Sequence, residues 1–307
     1  SPMKTLWIIG GPTASGKTSL GIDLALGLKT EVLSADARQF YRGMDIGTAK
    51  PSEEELSTVQ HHFINSLDLN EDYDVADYER DALVQLDVIF KTSDHAVMVG
   101  GSGLFIQAVL YGLSPMPPVP EEIREKWRKI EANEGLESLQ KALEDRDPDI
   151  IRHIDMQNPR RVLRALEVVE SSGRSLKAWQ DEFVPKKRAF KWNMVALDWP
   201  RDLLYARIDE RVDRMIQEGL EDEVGKLKNK NAQKLDDTIG YQEWLPFFSG
   251  NRSKDEVIRL IKRNSRRYAK RQLTWFRNQT DCQWVTPETS SQWLSKVLKS
   301  HRMRPNE

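Results

Sequence analysis

Eight residues near the start of the chain, GPTASGKT from Gly11 to Thr18, combine the residue types that hold a phosphate. Gly11 and Gly16 frame a loop in which the backbone N–H groups of Thr13, Ala14, Ser15 and their neighbours can converge on phosphate oxygens. The loop opens onto a helix whose N-terminal dipole favours negative charge. Lys17 supplies a point charge, and the Thr18 hydroxyl is placed to ligate Mg²⁺. The pattern specifies a diphosphate-sized anion without naming its owner. A nucleotide kinase, an ATPase and a transferase with a diphosphate leaving group all fit it. Asp36 closes the next strand, where ligands of doubly wound sheets collect. Its carboxylate suits a metal ligand, a general base on a second substrate, or the cap of a turn. Arg207 and Arg211 lie four apart on one helix face, where spacing alone pairs them with Asp209 and Asp213. Cys282 has no local base and reads as a structural thiol. His61 and His62 lack the spacing and companions of a metal site and read as structural.

The surrounding pattern supplies elements to position these groups. Thr5–Ile9 is a short apolar run ending in Gly-Gly, a buried strand; Lys17–Leu28 follows with helical spacing. Glu31–Ser34 reads as a second strand. Val75–Phe90 is an amphipathic helix, His95–Val99 a third strand, and Ser102–Leu110 an apolar helix. Strands alternating with helices predict an α/β fold, a parallel sheet core of the P-loop type with helices on both faces. Prolines at 115, 117, 118 and 120 then mark a boundary. From there to the break at Val184–Arg188 the chain reads as short polar helices, after which Phe190–Trp199 returns as a core strand. This predicts an all-helical insertion domain over 115–185 within a core formed by 1–114 and 186–307. The remainder is helical apart from a short strand at Cys282–Val285.

A chain of 307 residues buries a substantial core without staples, and its single cysteine fits a reducing compartment. No apolar run reaches the length needed to cross a bilayer, and LWIIGGP is too short for a signal peptide, so a soluble cytoplasmic protein with no membrane partner is expected. Ser1 and Pro2, ahead of Met3, read as a cloning remnant. The net charge of −2 hides a segregation. Residues 257–277 carry eight Lys or Arg and no Asp or Glu, leaving 38 basic against 48 acidic residues elsewhere. Most charge runs are solvated helix faces. Here the interspersed acidic residues of such a face are missing, which favours a nucleic-acid contact.

Taken together, GPTASGKT, SADARQFYRGMDIGTAKP, VGGSGLF, NPRRVLRALEV and AKRQLTWFR resemble the bacterial tRNA dimethylallyltransferases, in family order from about Leu6 to Phe276. The resemblance implies that the loop holds dimethylallyl diphosphate rather than ATP. It implies transfer of the isoprenoid to N6 of the adenosine beside the anticodon, with tRNA, through its anticodon stem-loop, as partner. By the same resemblance, Asp36 is the general base, Ser102 contacts adenosine or diphosphate, and Arg211, with Arg207, binds the diphosphate together with Mg²⁺. The tRNA surface would combine Asp36, Ala37, Arg38, Gln39 and Ser102 around the base with Arg160, Arg161 and Arg164 of the insertion. Arg266, Arg267, Lys270 and Arg271 of the basic helix would complete it. Tyr241, Trp244, Trp275 and Phe276 could stack on bases, although aromatics at helical spacing are more often core. Ser102 stands where the family usually has Thr, Asn158 where Asp is common, and Gln242 where a basic residue is frequent. No Cys-x-x-Cys pair provides the zinc finger of eukaryotic relatives. Nothing demands an oligomer, so a monomer is expected. The competing readings are an ATP-using kinase and a non-catalytic RNA-binding protein.

Overall fold

A computed structural model describes residues 3–114, 116 and 119–302. Ser1 and Pro2, and Pro115, Pro117 and Pro118 of the boundary segment, lie outside the described residues. Six parallel strands form one sheet: β1 (Lys4–Gly10), β2 (Val32–Ser34), β3 (His61–His62), β4 (His95–Gly100), β5 (Phe190–Leu197) and β6 (Gln283–Val285), in the order β3-β2-β4-β1-β5-β6. β1 is central, paired with β4 from Thr5↔His95 to Gly10↔Gly100 and with β5 from Lys4↔Phe190 to Gly10↔Ala196. Its unbroken apolar sequence follows from burial on both faces. Trp7 and Ile9 join one core cluster, while the alternate residues Leu6 and Ile8 are fully buried on the other face.

The helices are α1 (Lys17–Leu28), α2 (Glu53–Thr58), α3 (Val75–Ile89), α4 (Gly103–Tyr111), α5 (Glu121–Glu134), α6 (Leu136–Arg146), α7 (Pro159–Ser172), α8 (Leu176–Asp181), α9 (Arg201–Gln217), α10 (Leu220–Leu227), α11 (Ala232–Asp236), α12 (Leu245–Phe248), α13 (Lys254–Gln279) and α14 (Ser290–Arg302). α14 contributes Trp293, Leu294, Val297 and Leu298 to the cluster that holds Trp7 and α1. Two compact units result: one formed by the chain up to Leu110 and from Arg188 onward, the other by Tyr111–Lys187. The second unit has its own core, built on Trp127, Leu139, Leu143, Val162 and Leu166. α7 begins with Pro159, and the Asn158 side chain caps it by accepting from the N–H groups of Arg160 (3.1 Å) and Arg161 (3.4 Å). Asn and Asp cap equally well, so the departure at Asn158 preserves this local structure.

The strand ends are shaped by glycine. A Cβ on Gly10 would lie 2.2 Å from the ring of Phe276, one on Gly101 would lie 2.3 Å from Gln272 Nε2, and one on Gly103 would lie 2.2 Å from Trp275. α13 therefore rests directly on the C-terminal ends of β1 and β4, and Gln272 Nε2 donates to the Gly101 carbonyl at 3.2 Å. A Cβ on Gly100 would meet the backbone carbonyl of Ala35 at 2.3 Å. That carbonyl accepts from Ser102 N, and Ala35 N donates to the Val99 carbonyl. Neither partner can move without disturbing Asp36. Gly100→Ala is expected to cost about 1–3 kcal/mol of stability, as overpacking against unyielding neighbours does. Urea denaturation checks this; a loss under about 0.5 kcal/mol would show that the strand ends have slack.

Candidate active site

The phosphate-binding sequence forms a loop between β1 and α1 with left-handed backbone at Ala14 (φ 63°) and Gly16 (φ 90°) and a φ of 151° at Gly11. Ser15 Oγ donates to the Pro12 carbonyl at 2.6 Å, and Lys17 Nζ donates to the same oxygen at 3.1 Å. From outside, Trp199 Nε1 donates to the Ser15 carbonyl (2.8 Å) and Arg207 Nε to the Ala14 carbonyl (2.8 Å), with the guanidinium 4.3 Å from the Trp199 ring centroid. In a trans peptide the N–H points opposite to the C=O. Tying these carbonyls to Trp199 and Arg207 therefore turns the next N–H groups the other way, as an anion cradle requires.

The loop walls a cavity of about 190 Å³, shared with Asp36, Gln39, the segment Thr48–Pro51, Glu55, Arg207 and Arg211. Asp36 is 6% exposed and Lys17 9% exposed. Burial lowers the Lys17 pKa to about 8; Asp36 opposes the shift, and Arg211 and Arg38 add to it. Arg211 is also pushed down, by burial and by the neighbouring Arg214 and Arg207, and its Nε has no hydrogen-bond partner. Cations held in this way favour a bound anion. Among the described residues no group of three or more His, Cys, Asp or Glu forms a metal site. Thr18, however, lines the cavity beside Lys17 and Asp36. That donor set suits Mg²⁺, which takes few protein ligands and completes its shell with phosphate oxygens and water.

Asp36 caps a single turn of 3₁₀ helix over Ala37–Phe40, its Oδ1 accepting from Arg38 N at 3.1 Å. Arg38 Nε approaches the same Oδ1 at 3.5 Å, and its guanidinium lies 5.2 Å from the Tyr268 ring centroid. The capping geometry is thus present, and both contacts use one carboxylate oxygen. Ser102 Oγ accepts from Ala37 N at 3.2 Å, which joins the ends of β2 and β4. Gln39 is buried, with Nε2 donating to the carbonyls of Thr48 and Ala49 (both 3.3 Å) and Oε1 accepting from Ser34 Oγ (3.3 Å). Its side chain is spent on two backbone carbonyls and the Ser34 hydroxyl.

The segment Gly43–Pro51 is held from α10. Glu223 accepts from the N–H groups of Asp45 (3.0 Å), Ile46 (2.9 Å) and Gly47 (3.3 Å), and from the Tyr241 hydroxyl (2.6 Å). This corrects the expectation for Tyr241. It is 0% exposed, with its ring against Gly47, and offers no face to an RNA base. Trp244 and Phe276 are likewise fully buried core residues, while Trp275 is half-buried. Nothing in the sequence points to Glu223, because apart from Tyr241 its partners are backbone groups far along the chain.

The missing counter-charges of the basic helix come from α9. Asp209 pairs with Arg266 (2.6 Å) and Asp213 with Lys262 (2.8 Å). This overturns the local pairing read for Asp209 and Asp213, and it leaves Arg207 and Arg211 to face the phosphate loop. Arg266 is half-buried in its ion pair, whereas Arg267, Lys270 and Arg271 are exposed. Arg160, Arg161 and Arg164 are exposed on α7, in the second compact unit. His61 Nδ1 lies 2.8 Å from the Val59 carbonyl and His62 Nε2 lies 2.7 Å from Glu31, and both residues lie in edge strand β3. No described helix is long and apolar enough to cross a membrane.

A parallel α/β sheet, an anion cradle at the end of β1 and a buried carboxylate at the end of β2 define a phosphate-loop enzyme core with room for a second reactant. Residues 39–279 match the family described as IPP transferase. Over 92% of this chain and 93% of the relative, the sequence is 41% identical to a tRNA dimethylallyltransferase of Cytophaga hutchinsonii. It is 39% identical to that of Bacillus subtilis over 96% of this chain and 95% of the relative. The chain belongs to the IPP transferase family. A solved tRNA isopentenylpyrophosphate transferase from Bacillus halodurans is 36% identical and superimposes with a TM-score of 0.69 over 98% of both chains. One from Staphylococcus epidermidis is 31% identical, with a TM-score of 0.70 over 98% of this chain and 100% of that one.

The lowered Lys17 pKa sets a pH dependence. Because the folded value of about 8 lies below the unfolded one, burying charged Lys17 costs stability below about pH 8, and the cost is relieved as pH rises from there toward the unfolded value. A bound diphosphate reverses this by stabilising the ammonium. Above pH 8, diphosphate binding is therefore expected to take up a proton, seen in titration calorimetry as a dependence on buffer ionisation enthalpy. Uptake unchanged in Lys17→Met would assign the proton elsewhere.

Proposed function

We propose that this chain transfers a dimethylallyl group from dimethylallyl diphosphate to N6 of the adenosine 3′-adjacent to the anticodon of tRNA. The observation that carries this reading is the shared cavity, in which Asp36 faces the phosphate cradle with Lys17, Arg207 and Arg211. The N6 lone pair of adenine is delocalised into the ring and is a weak nucleophile. As its new bond to the allylic carbon forms, the carbon–oxygen bond to diphosphate breaks and Asp36 accepts the N6 proton. Charge gathers on the leaving diphosphate, where the loop N–H groups, Lys17, Arg207 and Arg211 stabilise it. Mg²⁺, held by Thr18 and the diphosphate oxygens, would supply further neutralisation of that charge. Ser102 fixes the Asp36 turn through Ala37 N and presents its hydroxyl beside the base. The target adenine must leave its stack to reach this depth. Ala37 and Arg38 flank it, while Arg267, Lys270 and Arg271 position the phosphate backbone without reading sequence; Arg160, Arg161 and Arg164 offer phosphate contacts on their own unit. The enzyme acts as a monomer in the cytoplasm, where its tRNA substrate resides.

The test combines unmodified tRNA bearing adenine after the anticodon, Mg²⁺ and labelled dimethylallyl diphosphate, with the label located by digestion and mass spectrometry. ATP turnover without prenyl transfer would replace this reading with a kinase. Asp36→Ala is expected to lower kcat by about 10²–10⁴, the usual contribution of a general base, with tRNA affinity nearly intact. Equal loss of binding and transfer would remove the base assignment. Replacing Arg267, Lys270 and Arg271 together with Gln is expected to reduce the salt dependence of tRNA binding, the log–log slope falling by about two. An unchanged slope would place the phosphate contacts on other residues.

A further inference from the structure

We infer that Glu223, with Tyr241 behind it, is a positioning residue for the reaction, acting through the segment Gly43–Pro51. This rests on the proposed prenyl transfer and concerns residues that touch neither substrate. The Glu223 carboxylate sits where an anion would sit in a backbone nest, taking successive N–H groups of Asp45, Ile46 and Gly47. Tyr241 Oη donates to Oε2, and burial beside Glu223 raises the tyrosine pKa far enough to keep it a donor throughout the working range. The tyrosine ring occupies the space a side chain on Gly47 would need. The next four residues, Thr48–Pro51, line the cavity along with the phosphate loop. Their register is relayed to the base, because Gln39, three residues after Asp36, donates to the carbonyls of Thr48 and Ala49. Ala49 holds a left-handed backbone (φ 52°), a conformation that persists only when its surroundings impose it. Glu223 anchors the segment just ahead of Ala49 from α10, through charge-assisted bonds that a neutral amide replaces only in part. A Gln whose NH₂ took the place of Oε2 would set N–H against the N–H groups of Ile46 and Gly47, the Tyr241 hydroxyl alone being able to turn and accept.

The experiment measures three quantities on Glu223→Gln, Tyr241→Phe, the double variant and Val224→Ala: binding of Mg-bound inorganic diphosphate by calorimetry, tRNA binding, and kcat for prenyl transfer. Val224 is the buried neighbour of Glu223 on α10, and its apolar side chain neither donates nor accepts a hydrogen bond, so it serves as a control for general loss of stability. Glu223→Gln is expected to weaken diphosphate binding about tenfold and lower kcat by up to ~10², the scale of a small displacement of the reacting groups. Its tRNA affinity stays within about twofold. Tyr241→Phe gives a smaller loss in the same direction, and the double variant is no worse than Glu223→Gln, because the tyrosine acts through the carboxylate. Val224→Ala lowers Tm while keeping diphosphate affinity. Wild-type diphosphate affinity and kcat in Glu223→Gln would overturn the inference, as would additive losses or a Val224→Ala variant that loses both in proportion to Tm. Failure of the wild-type protein to transfer the prenyl group at all would instead remove the function on which the inference rests, with diphosphate binding still reporting on Glu223.

Discussion

The active end of this protein depends on one close contact, the seating of α13 against two strand ends and the start of α4, where glycines carry no side chains. Gly10, Gly101 and Gly103 leave room for Phe276, Gln272 and Trp275, and any Cβ there would collide with them. Once α13 is seated, its Lys262 and Arg266 draw in Asp213 and Asp209 of α9. α9 in turn carries Arg207 onto the Ala14 carbonyl, stacked over Trp199 at its entrance. The phosphate loop is thus shaped from behind by a helix that the basic helix holds in place. A steric feature of the sheet reaches the electrostatics of the cradle through two layers of packing.

Within the cavity the charges are arranged to favour an anion. Lys17 is buried enough that its own proton is weakly held, and Arg211 is crowded by Arg207 and Arg214. In the low dielectric of a closed site such crowding is costly, and a diphosphate relieves it. The same arrangement stabilises a leaving group that gains charge during the reaction, which links ground-state strain to the proposed chemistry.

Two carboxylates near the cavity do different work because they face different partners. Asp36 uses one oxygen to cap its own turn and faces Lys17 across the cavity. Glu223 is turned wholly toward backbone N–H groups and the Tyr241 hydroxyl, where it acts as structural counter-charge. Gln39 connects the two, so the wall of the cavity and the turn of the base share one network.

Much of this was legible in the order of residues. GPTASGKT between an apolar run and a helical run specifies a cradle, because strand, loop and helix N-terminus are local and their residue types have few other uses. The strands of the core read through as β1, β2, β4, β5 and β6 within a residue or two, since each is an apolar run bounded by Gly, Pro or Asp. β3 was missed: two histidines form a strand only because β2 offers them an edge. Local spacing also misassigned the partners of Asp209 and Asp213, while the resemblance turned Tyr241 toward RNA although its spacing favoured the core. In each case the deciding neighbour lies tens of residues away or on another element, so no local pattern could contain it. Residue order sets the chemistry available: a cradle, a lysine and a carboxylate at successive strand ends. Which side chains reach that chemistry, and which are consumed in holding it, follows from the folded chain, because ion pairs, burial and backbone contacts depend on distance in space.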